Sequence, residues 1–575
     1  MFEEYGIDTI EINGEADKCK YAFATNTSLR RKTFKFIENR IFLIGDIEIF
    51  NTEELLEKYF PKSPISSEMT DEELISYLYL KKGIEFIKEL EGEYSFVLYD
   101  EEAGRIFAIR DHMGVKPVYW MQYKGDFLIA SDIFLLKSYF DFGNLNHNYF
   151  KEFYTRDGIV DLEITPYKEV YRVPSGSYIS LSKDVTDLKR YWDLADTKGK
   201  LAYRNAADYY DEFIRIFQTA IKDRLRKNSG NSIFLSGGLD STSVYAISKI
   251  IEDKNHDLSV TPISAVFDEL KDCDERIYIN ELLNRYRDSG INVNLDDKLM
   301  FTNFPQNIPF SYEPSVNAIS YEFNFNLAKQ ASQNGLTNIL SGFAGDHLLT
   351  GSMYVTRDFL KKIKLKKAVS YITNYSISTN SSAFQNLLAF SLKPDILNQH
   401  GILPGKGYYD EMHRNLKKVK SFYQKEPYYQ ITNAKANLFS DRVIGAITGT
   451  DLRHPFLDKR LIEYVYKIPS NLILFDGRIT KYILRKSMNN YLPESILNRV
   501  VKTTHLSYTY KSMRKNWEYI YKIMSNPRFI TSLNLITADR WINELYKWRN
   551  GDEVHNKFWI LFVLELWAFQ YSHKM

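Results

Sequence analysis

The sequence predicts an α+β layered domain over residues 1–198. It then predicts an α/β doubly wound parallel sheet leading into a mostly helical C-terminal part, over residues 199–575. Three observations carry this expectation. Strand-like runs bracket two helical runs before residue 195, the pattern of a layered α+β domain. Short apolar runs alternate with helical patterns from Ile233 to Leu340, as a parallel sheet requires. Between the two parts, Asp196-Thr197-Lys198-Gly199-Lys200 is polar and breaks both patterns, as a linker does.

In chain order, Arg40 to Gly45 and Gly92 to Asp100 have strand composition. Arg105 to Arg110 alternates and reads as the second strand of a hairpin, with Glu101 to Gly104 as its turn. Helices are expected at Thr52 to Tyr59 and Asp71 to Lys81. After the linker, Asn205 is placed as an N-cap with Asp208 in a capping-box role. Phe213, Phe217, Ile221 and Leu225 then recur on one helix face. Ile233-Phe234-Leu235 reads as a buried parallel strand, followed by a helix with Val244, Ile247 and Ile251 on one face. Strands at Leu258 to Phe267, Ile291 to Leu295 and Thr337 to Leu340 alternate with helices at Glu275 to Tyr286 and Ala318 to Ser332. Beyond Asp346 the pattern is mostly helical. Arg453 to Asp458 reads as a turn joining helical segments, with Arg453 and Asp458 placed to pair across it.

Composition narrows the function. The chain is 44% hydrophobic and 15% aromatic, so large cores are expected. A formal net charge of +2 argues against nucleic acid as an obligatory partner. The lysines from Lys361 to Lys367 read as a solvated face. Two cysteines, Cys19 and Cys273, give neither a disulfide framework nor a zinc pattern, and suit a reducing compartment. Met1 to Tyr5 lacks the basic and apolar regions of a signal peptide. Phe558 to Phe569 is too short to span a bilayer and is interrupted by Glu565, so a buried helix is expected. The expectation is a cytoplasmic protein with no membrane span.

The chemistry gathers at two loops. Ser236-Gly237-Gly238-Leu239-Asp240-Ser241 sits between a strand and a helix, where free N–H groups and the positive helix end face an anion. Small residues suit any βα turn, but Asp240 would repel a bare phosphate. It fits if a divalent cation lies between. The loop therefore reads as a site for Mg-bound pyrophosphate, and so for ATP. Ser341-Gly342-Phe343-Ala344-Gly345-Asp346 follows a later strand of the same sheet, and ligands bind at the carboxyl ends of such strands. Asp240 and Asp346 are thus placed to share a metal ion; alone, Asp346 would better suit a helix N-cap. Lys481, Lys502 and His505 are candidates for meeting developing charge, although most lysines are solvated. No His-Glu-x-x-His, Gly-x-Ser-x-Gly or Walker-type motif is present.

These residues, with Gly92 to Phe96, Arg110 to Tyr119, Ala130 to Asp132, Asp274-Glu275, Arg453 to Asp458 and Lys481 to Arg485, follow one another in a known order. The chain resembles the asparagine synthetase superfamily over nearly its full length. The resemblance implies an Ntn-hydrolase-like glutaminase fold for residues 1–198. For residues 199–575 it implies a PP-loop ATP pyrophosphatase type domain that forms amides. There ATP adenylates a carboxylate, pyrophosphate leaves, and an amine displaces AMP. It implies nucleotide contacts at Leu235, Ser236, Gly237, Gly238, Asp240, Ser241, Ser341 and Gly342. Mg²⁺ would sit on Asp240 and Asp346, with Lys502, Lys481 and Asp451 as the catalytic set. Lys502 would meet the charge of adenylation.

Departures from the family pattern narrow it further. Phe2 stands where glutamine-dependent members carry the nucleophilic cysteine, and Cys19 lies too far along the chain to replace it. Ile44-Gly45-Asp46 stands for Asn-Gly-Glu. The N-terminal domain is therefore expected to be inactive as a glutaminase. In the second loop Phe343 replaces a glutamate, Ala344 a glycine and His347 an acid. That leaves the base open, with Asp451 as a candidate. Two groups of relatives share the inactive domain: β-lactam synthetases and lasso peptide macrolactam cyclases. The chain resembles the second most. That implies a peptide substrate, a leader peptidase and a leader-binding protein as partners. An ammonia-using asparagine synthetase, a β-lactam-type cyclase and a non-catalytic scaffold are the alternatives.

Overall fold

The computed structural model describes residues 9–16, 19–26, 34–37, 40–61, 69–139, 143–158, 163–182, 186–227, 230–394, 414–434 and 439–574. Phe2 lies outside them. The chain divides into two compact units. One is Met1–Glu152 with Val160–Asp196, the other Phe153–Ile159 with Thr197–Met575.

The first unit is built on antiparallel strands. A hairpin joins β1 (Thr9–Ala16) to β2 (Cys19–Asn26), with Cys19 opening the second strand. The main sheet contains β3 (Phe34–Ile37), β4 (Ile41–Ile49), β5 (Gly92–Asp100) and β6 (Arg105–Arg110). A smaller sheet uses β7 (Tyr119–Tyr123), β8 (Asp126–Ala130) and β9 (Tyr171–Arg172). Strands β10 (Ser177–Leu181) and β11 (Thr186–Arg190) complete the main sheet in the order β11-β10-β6-β5-β4-β3. Helices α1 (Thr52–Tyr59) and α2 (Asp71–Lys82) fall where the sequence pattern places them. Thr70 and Glu73 form a capping box at the start of α2: Thr70 N–H donates to Glu73 at 2.9 Å and Glu73 N–H to Thr70 Oγ1 at 3.3 Å. Between β8 and β9 the chain runs through α3 (Ile133–Tyr139) and α4 (His147–Thr155), whose last residues belong to the second unit. Alternation along the strands splits the core in two. Leu43, Phe96, Leu98 and Phe107 face Leu55, Leu74 and Leu78 of the helices. Ala108, Ile179 and Leu181 face the other way, against Trp120, Phe127 and Ile129 of the smaller sheet. The layers are helix, sheet, sheet.

The second unit opens with α5 (Ala206–Lys222), where the Asn205 N–H donates to Asp208 at 3.2 Å. Phe213, Phe217, Ile221 and Leu225 are all buried. Then β12 (Asn231–Phe234), α6 (Leu239–Lys254), β13 (Val260–Val266), α7 (Arg276–Tyr286), β14 (Ile291–Asn294), α8 (Tyr321–Gln333) and β15 (Asn338–Leu340) alternate. A fifth strand, β16 (Asp451–Arg453), pairs with β15. The sheet is parallel throughout, in the order β14-β13-β12-β15-β16. The order reverses between β12 and β15. That switch point opens a crevice at the strands' carboxyl ends.

Strand β16 corrects the sequence reading of Arg453 to Asp458. Residues Asp451 to Arg453 are an edge strand, and only the following Pro455–Leu457 form a short 3₁₀ turn. Three residues with a charge at each end carry no strand signal of their own; the ladder to β15 supplies it. The expected pairing of Arg453 with Asp458 is also replaced. Arg453 pairs with Asp451 at 2.9 Å, and Asp458 pairs with Arg224 at 2.9 Å and Arg460 at 2.7 Å. At the other end, the helix Phe558–Lys574 is buried over its first part, from Phe558 to Trp567 apart from the partly exposed Trp559, and its last turn is exposed. Its Glu565 accepts from the N–H groups of Arg528 (2.9 Å) and Ile530 (3.0 Å), satisfying donors that start the helix Phe529–Ser532. Among the described residues no helix is long and apolar enough to cross a membrane.

Burial alone would raise the Asp458 carboxyl, but Arg460 and Arg224 outweigh it and hold it at about 2, below its ordinary 3.8. A depressed folded value means that this stabilisation is complete above the unfolded value and fades as pH falls towards 2. Asp458→Asn takes a counter-charge from the buried Arg224 and from Arg460, which keeps Asp223 at 2.6 Å, so a loss of about 3 kcal/mol is expected in denaturant melts at neutral pH. The variant's stability should also change less than that of the natural protein as pH falls from about 4 to 2.

Candidate active site

Strand β12 ends where the Leu235 N–H donates to Ile263 O at 2.9 Å. The chain then turns through Ser236-Gly237-Gly238 into α6, whose N-terminus carries free donors and the positive end of a sixteen-residue helix. The turn holds itself together. Ser236 Oγ and Ser241 Oγ are 3.0 Å apart, and the Gly238 N–H donates to Ser236 Oγ at 3.2 Å. The Gly237 N–H donates to Glu275 at 3.0 Å.

The loop after β15 lies directly on this turn. The Ser341 N–H donates to Arg453 O at 2.9 Å, tying the loop to β16. A Cβ on Gly342 would stand 2.6 Å from the Ser241 nitrogen, and one on Gly345 would stand 2.6 Å from Asp240 Cγ. Only glycine permits that approach. Ala344 is held at φ +69, a left-handed conformation that costs an L-residue about 1 kcal/mol. It precedes α9 (Gly345–Leu349), so Asp346 lies in the first helical turn and not at the cap.

Four charges meet there. Lys481 Nζ bonds Asp240 Oδ2 and lies 2.7 Å from Asp346 Oδ1. Lys502 Nζ bonds Asp346 Oδ2. Lys481 is buried at φ +55, its N–H donating to Leu349 O at 3.0 Å, so its own turn aims it inward. Burial pushes the Asp240 carboxyl up despite Lys481. Burial acts on Asp346 too, but Lys481 and Lys502 outweigh it and hold that carboxyl below its usual range. Asp240 Oδ1 is buried with no hydrogen-bond partner. A hard oxygen donor held without a partner fits a Mg²⁺ ion. Among the described residues no group of three or more His, Cys, Asp or Glu gathers around a metal position. Any cation here would therefore draw most of its ligands from phosphate and water.

The sequence reading missed Arg499. Its guanidinium pairs with Glu275 at 2.9 Å, stacks 4.1 Å over the Tyr278 ring, and donates to Thr503 Oγ1 at 2.6 Å. It joins the Lys502 segment to the first loop, and its place three residues before Lys502 was the available signal. Asp451 is not brought to this cluster. It aligns with Asn338, the first residue of β15, three residues or about 10 Å along the strand from Ser341. It is ion-paired to Arg226 at 2.7 Å and Arg453 at 2.9 Å. Phe343 packs its ring on His347 (5.5 Å) and His454 (5.1 Å). Burial lowers the basicity of His347 and of His505, and both keep a buried Nδ1 without a hydrogen-bond partner.

A family model described as asparagine synthase matches residues 212–569, which include both loops, Lys481 and Lys502. The chain belongs to the asparagine synthase family. A second model, described as a glutamine amidotransferase domain, matches residues 34–192. Asparagine synthetase [glutamine-hydrolyzing] 3 of Bacillus subtilis is 24% identical over 502 residues, covering 81% of this chain and 76% of its own. Amidase chyE of Penicillium rubens is 25% identical over 532 residues, covering 81% and 76%. Asparagine synthetase [glutamine-hydrolyzing] of Gallus gallus is 24% identical over 500 residues, covering 85% and 75%. As an asparagine synthase family member, the protein is an ATP-dependent carbon–nitrogen ligase.

The contact between the two loops is testable in this asparagine synthase family site. Gly345→Ala places a methyl group against Asp240 Cγ, where the Cβ distance would be 2.6 Å. Displacing the carboxylate by even ~1 Å should lower ATP-dependent AMP formation by roughly 10²-fold. Overpacking one methyl group against the buried Asp240 should cost only about 1–3 kcal/mol of stability in the same preparation.

Proposed function

We propose that the protein is a peptide macrolactam cyclase. It adenylates an Asp or Glu side chain of a leader-cleaved peptide, and the peptide's N-terminal amine then closes the ring, as in lasso peptide biosynthesis. AMP and pyrophosphate are released.

The observation that carries the reading is the surface around Lys502. Val500, Val501 and Leu506 are 85%, 79% and 58% exposed beside a lysine that reaches Asp346. Apolar side chains presented next to the reacting charge suit a peptide better than free aspartate. The first unit supports it as well. Asp46, in the Ile44-Gly45-Asp46 segment, is paired with Lys116 at 2.9 Å. Cys19 lies within a strand hairpin and Cys273 is buried in the other unit. In this reading the first unit hydrolyses no glutamine, and the attacking nitrogen belongs to the substrate. An α-amine with a pKa of about 7.7–8.0 is partly neutral near neutral pH and needs no generator.

In this mechanism the turn from Ser236 to Ser241 binds the phosphates through backbone N–H groups and hydroxyls, and Leu235, Ser341 and Gly342 line the nucleotide. A Mg²⁺ ion bound by Asp240 and Asp346 would neutralise the pyrophosphate. Lys481 holds the two carboxylates at one place, and Lys502 meets the negative charge that builds on the phosphate and on the oxygen of the tetrahedral intermediate. A leader peptidase and a leader-binding protein are the partners that this substrate calls for.

Incubated with ATP, Mg²⁺ and leader-free peptide, the purified protein should release AMP and pyrophosphate and yield a product lighter by one water. Asp240→Ala should release no AMP above background. AMP release driven by aspartate and ammonium, with none from peptide, would replace this reading with a small-molecule asparagine synthetase. Nucleotide binding without turnover on any substrate would leave a scaffold.

A further inference from the structure

Ser341, His454 and Asp441 form a hydrogen-bonded chain that ends in the nucleotide loop. Ser341 Oγ lies 2.8 Å from His454 Nδ1, and His454 Nε2 lies 2.8 Å from Asp441 Oδ2. The two ends fix the direction of the bonds. A carboxylate only accepts, so in the neutral imidazole Nε2 carries the ring proton and Nδ1 presents a lone pair. Ser341 Oγ accepts the Phe343 N–H at 3.3 Å, which leaves its own proton to point at Nδ1. His454 is 3% exposed, and Phe343 packs on its ring. Asp441 keeps a second buried oxygen, Oδ1, with no hydrogen-bond partner. It stands on the π-helical turn Phe439–Ile444, an irregular geometry often found at functional sites. Three separate segments thus converge to orient one serine hydroxyl, and capping a loop would need none of this.

We propose that the chain is the proton outlet for amide formation; this rests on the amide-forming reading above. When the amine attacks the acyl adenylate, the C–N bond forms and the nitrogen becomes positive. It must lose a proton before the amide is complete. That proton passes to Ser341 Oγ as the Ser341 proton passes to His454 Nδ1. The resulting imidazolium is held by Asp441. The C–O bond to AMP then breaks, AMP leaves with the electron pair, and the imidazolium returns its proton to water. Ser341 is the group that meets the substrate. His454 and Asp441 are positioning residues that act through it.

Two measurements test the relay, both on the full chain. The first needs no substrate. Proton NMR of the natural protein should show a resonance well downfield of the amide envelope, from the His454–Asp441 bond, lost in both His454→Gln and Asp441→Asn. Its absence from the natural protein would overturn the relay. The second separates the half-reactions, with leader-free peptide as the carboxylate. In His454→Gln, pyrophosphate exchange into ATP should stay within about threefold of normal while amide formation falls by roughly 10²-fold or more, the usual share of a general base. Hydroxylamine, which sheds its proton unaided, should trap the adenylate as hydroxamate at the natural rate. Equal loss of exchange and amide formation, or failure of hydroxylamine to restore turnover, would sink the proposal. Should His454→Gln misfold, Asp441→Asn bears the same test and Asp441→Glu should recover part of the rate. Failure of the amide-forming reading itself looks different: the natural protein would then release no AMP.

Discussion

The site depends on one ammonium group held between two carboxylates. Lys481 touches Asp240 from the loop after β12 and Asp346 from the loop after β15. Without it, the buried Asp240 and the half-exposed Asp346 lie side by side, and like charges there disfavour ionisation of both. With it, Asp346 stays ionised while Asp240 keeps one oxygen without a partner. The lysine lends the cluster the positive charge that a divalent cation would supply with nucleotide present. The buried turn at φ +55 that aims Lys481 inward is therefore as much part of the site as the acids themselves.

The glycines serve the same end. Gly342 and Gly345 leave no room for a side chain, so the second loop presses directly on the first and on Asp240. Arg499 adds a clasp from outside through Glu275 and Tyr278. Lys502 arrives on the same segment, with its apolar neighbours turned outward. Closely packed backbone positions the charges, and the apolar rim beside them stays exposed.

Much of this was legible in the chain. Apolar runs of strand length and a helix with Phe213, Phe217 and Ile221 on one face follow from periodicities set by backbone geometry. The helices at Thr52 and Asp71 begin where local composition places them. The Ser-Gly-Gly-Leu-Asp-Ser loop reads as an anion site because the carboxylate among its donors needs a cation to make sense. Strand β16 was not legible, because three residues with charged ends gain their pairing from a partner more than a hundred residues away. Nor was the fate of Asp451: nearness in sequence to Arg453 says nothing about which end of a strand faces the crevice.

The sequence by itself determined most element types, the two glycine loops and the identity of the charged groups near them, since these rest on local spacing and on the chemistry of single side chains. Only the tertiary structure decided which groups meet. It set the strand order that brings β12 beside β15 and lodged Lys481 between Asp240 and Asp346. It sent Asp451 to two arginines at the far end of the sheet and joined Ser341 to His454 and Asp441. Those outcomes depend on long-range packing, in which a buried charge or a hydrogen bond is settled by whatever the fold places within about 3 Å of it.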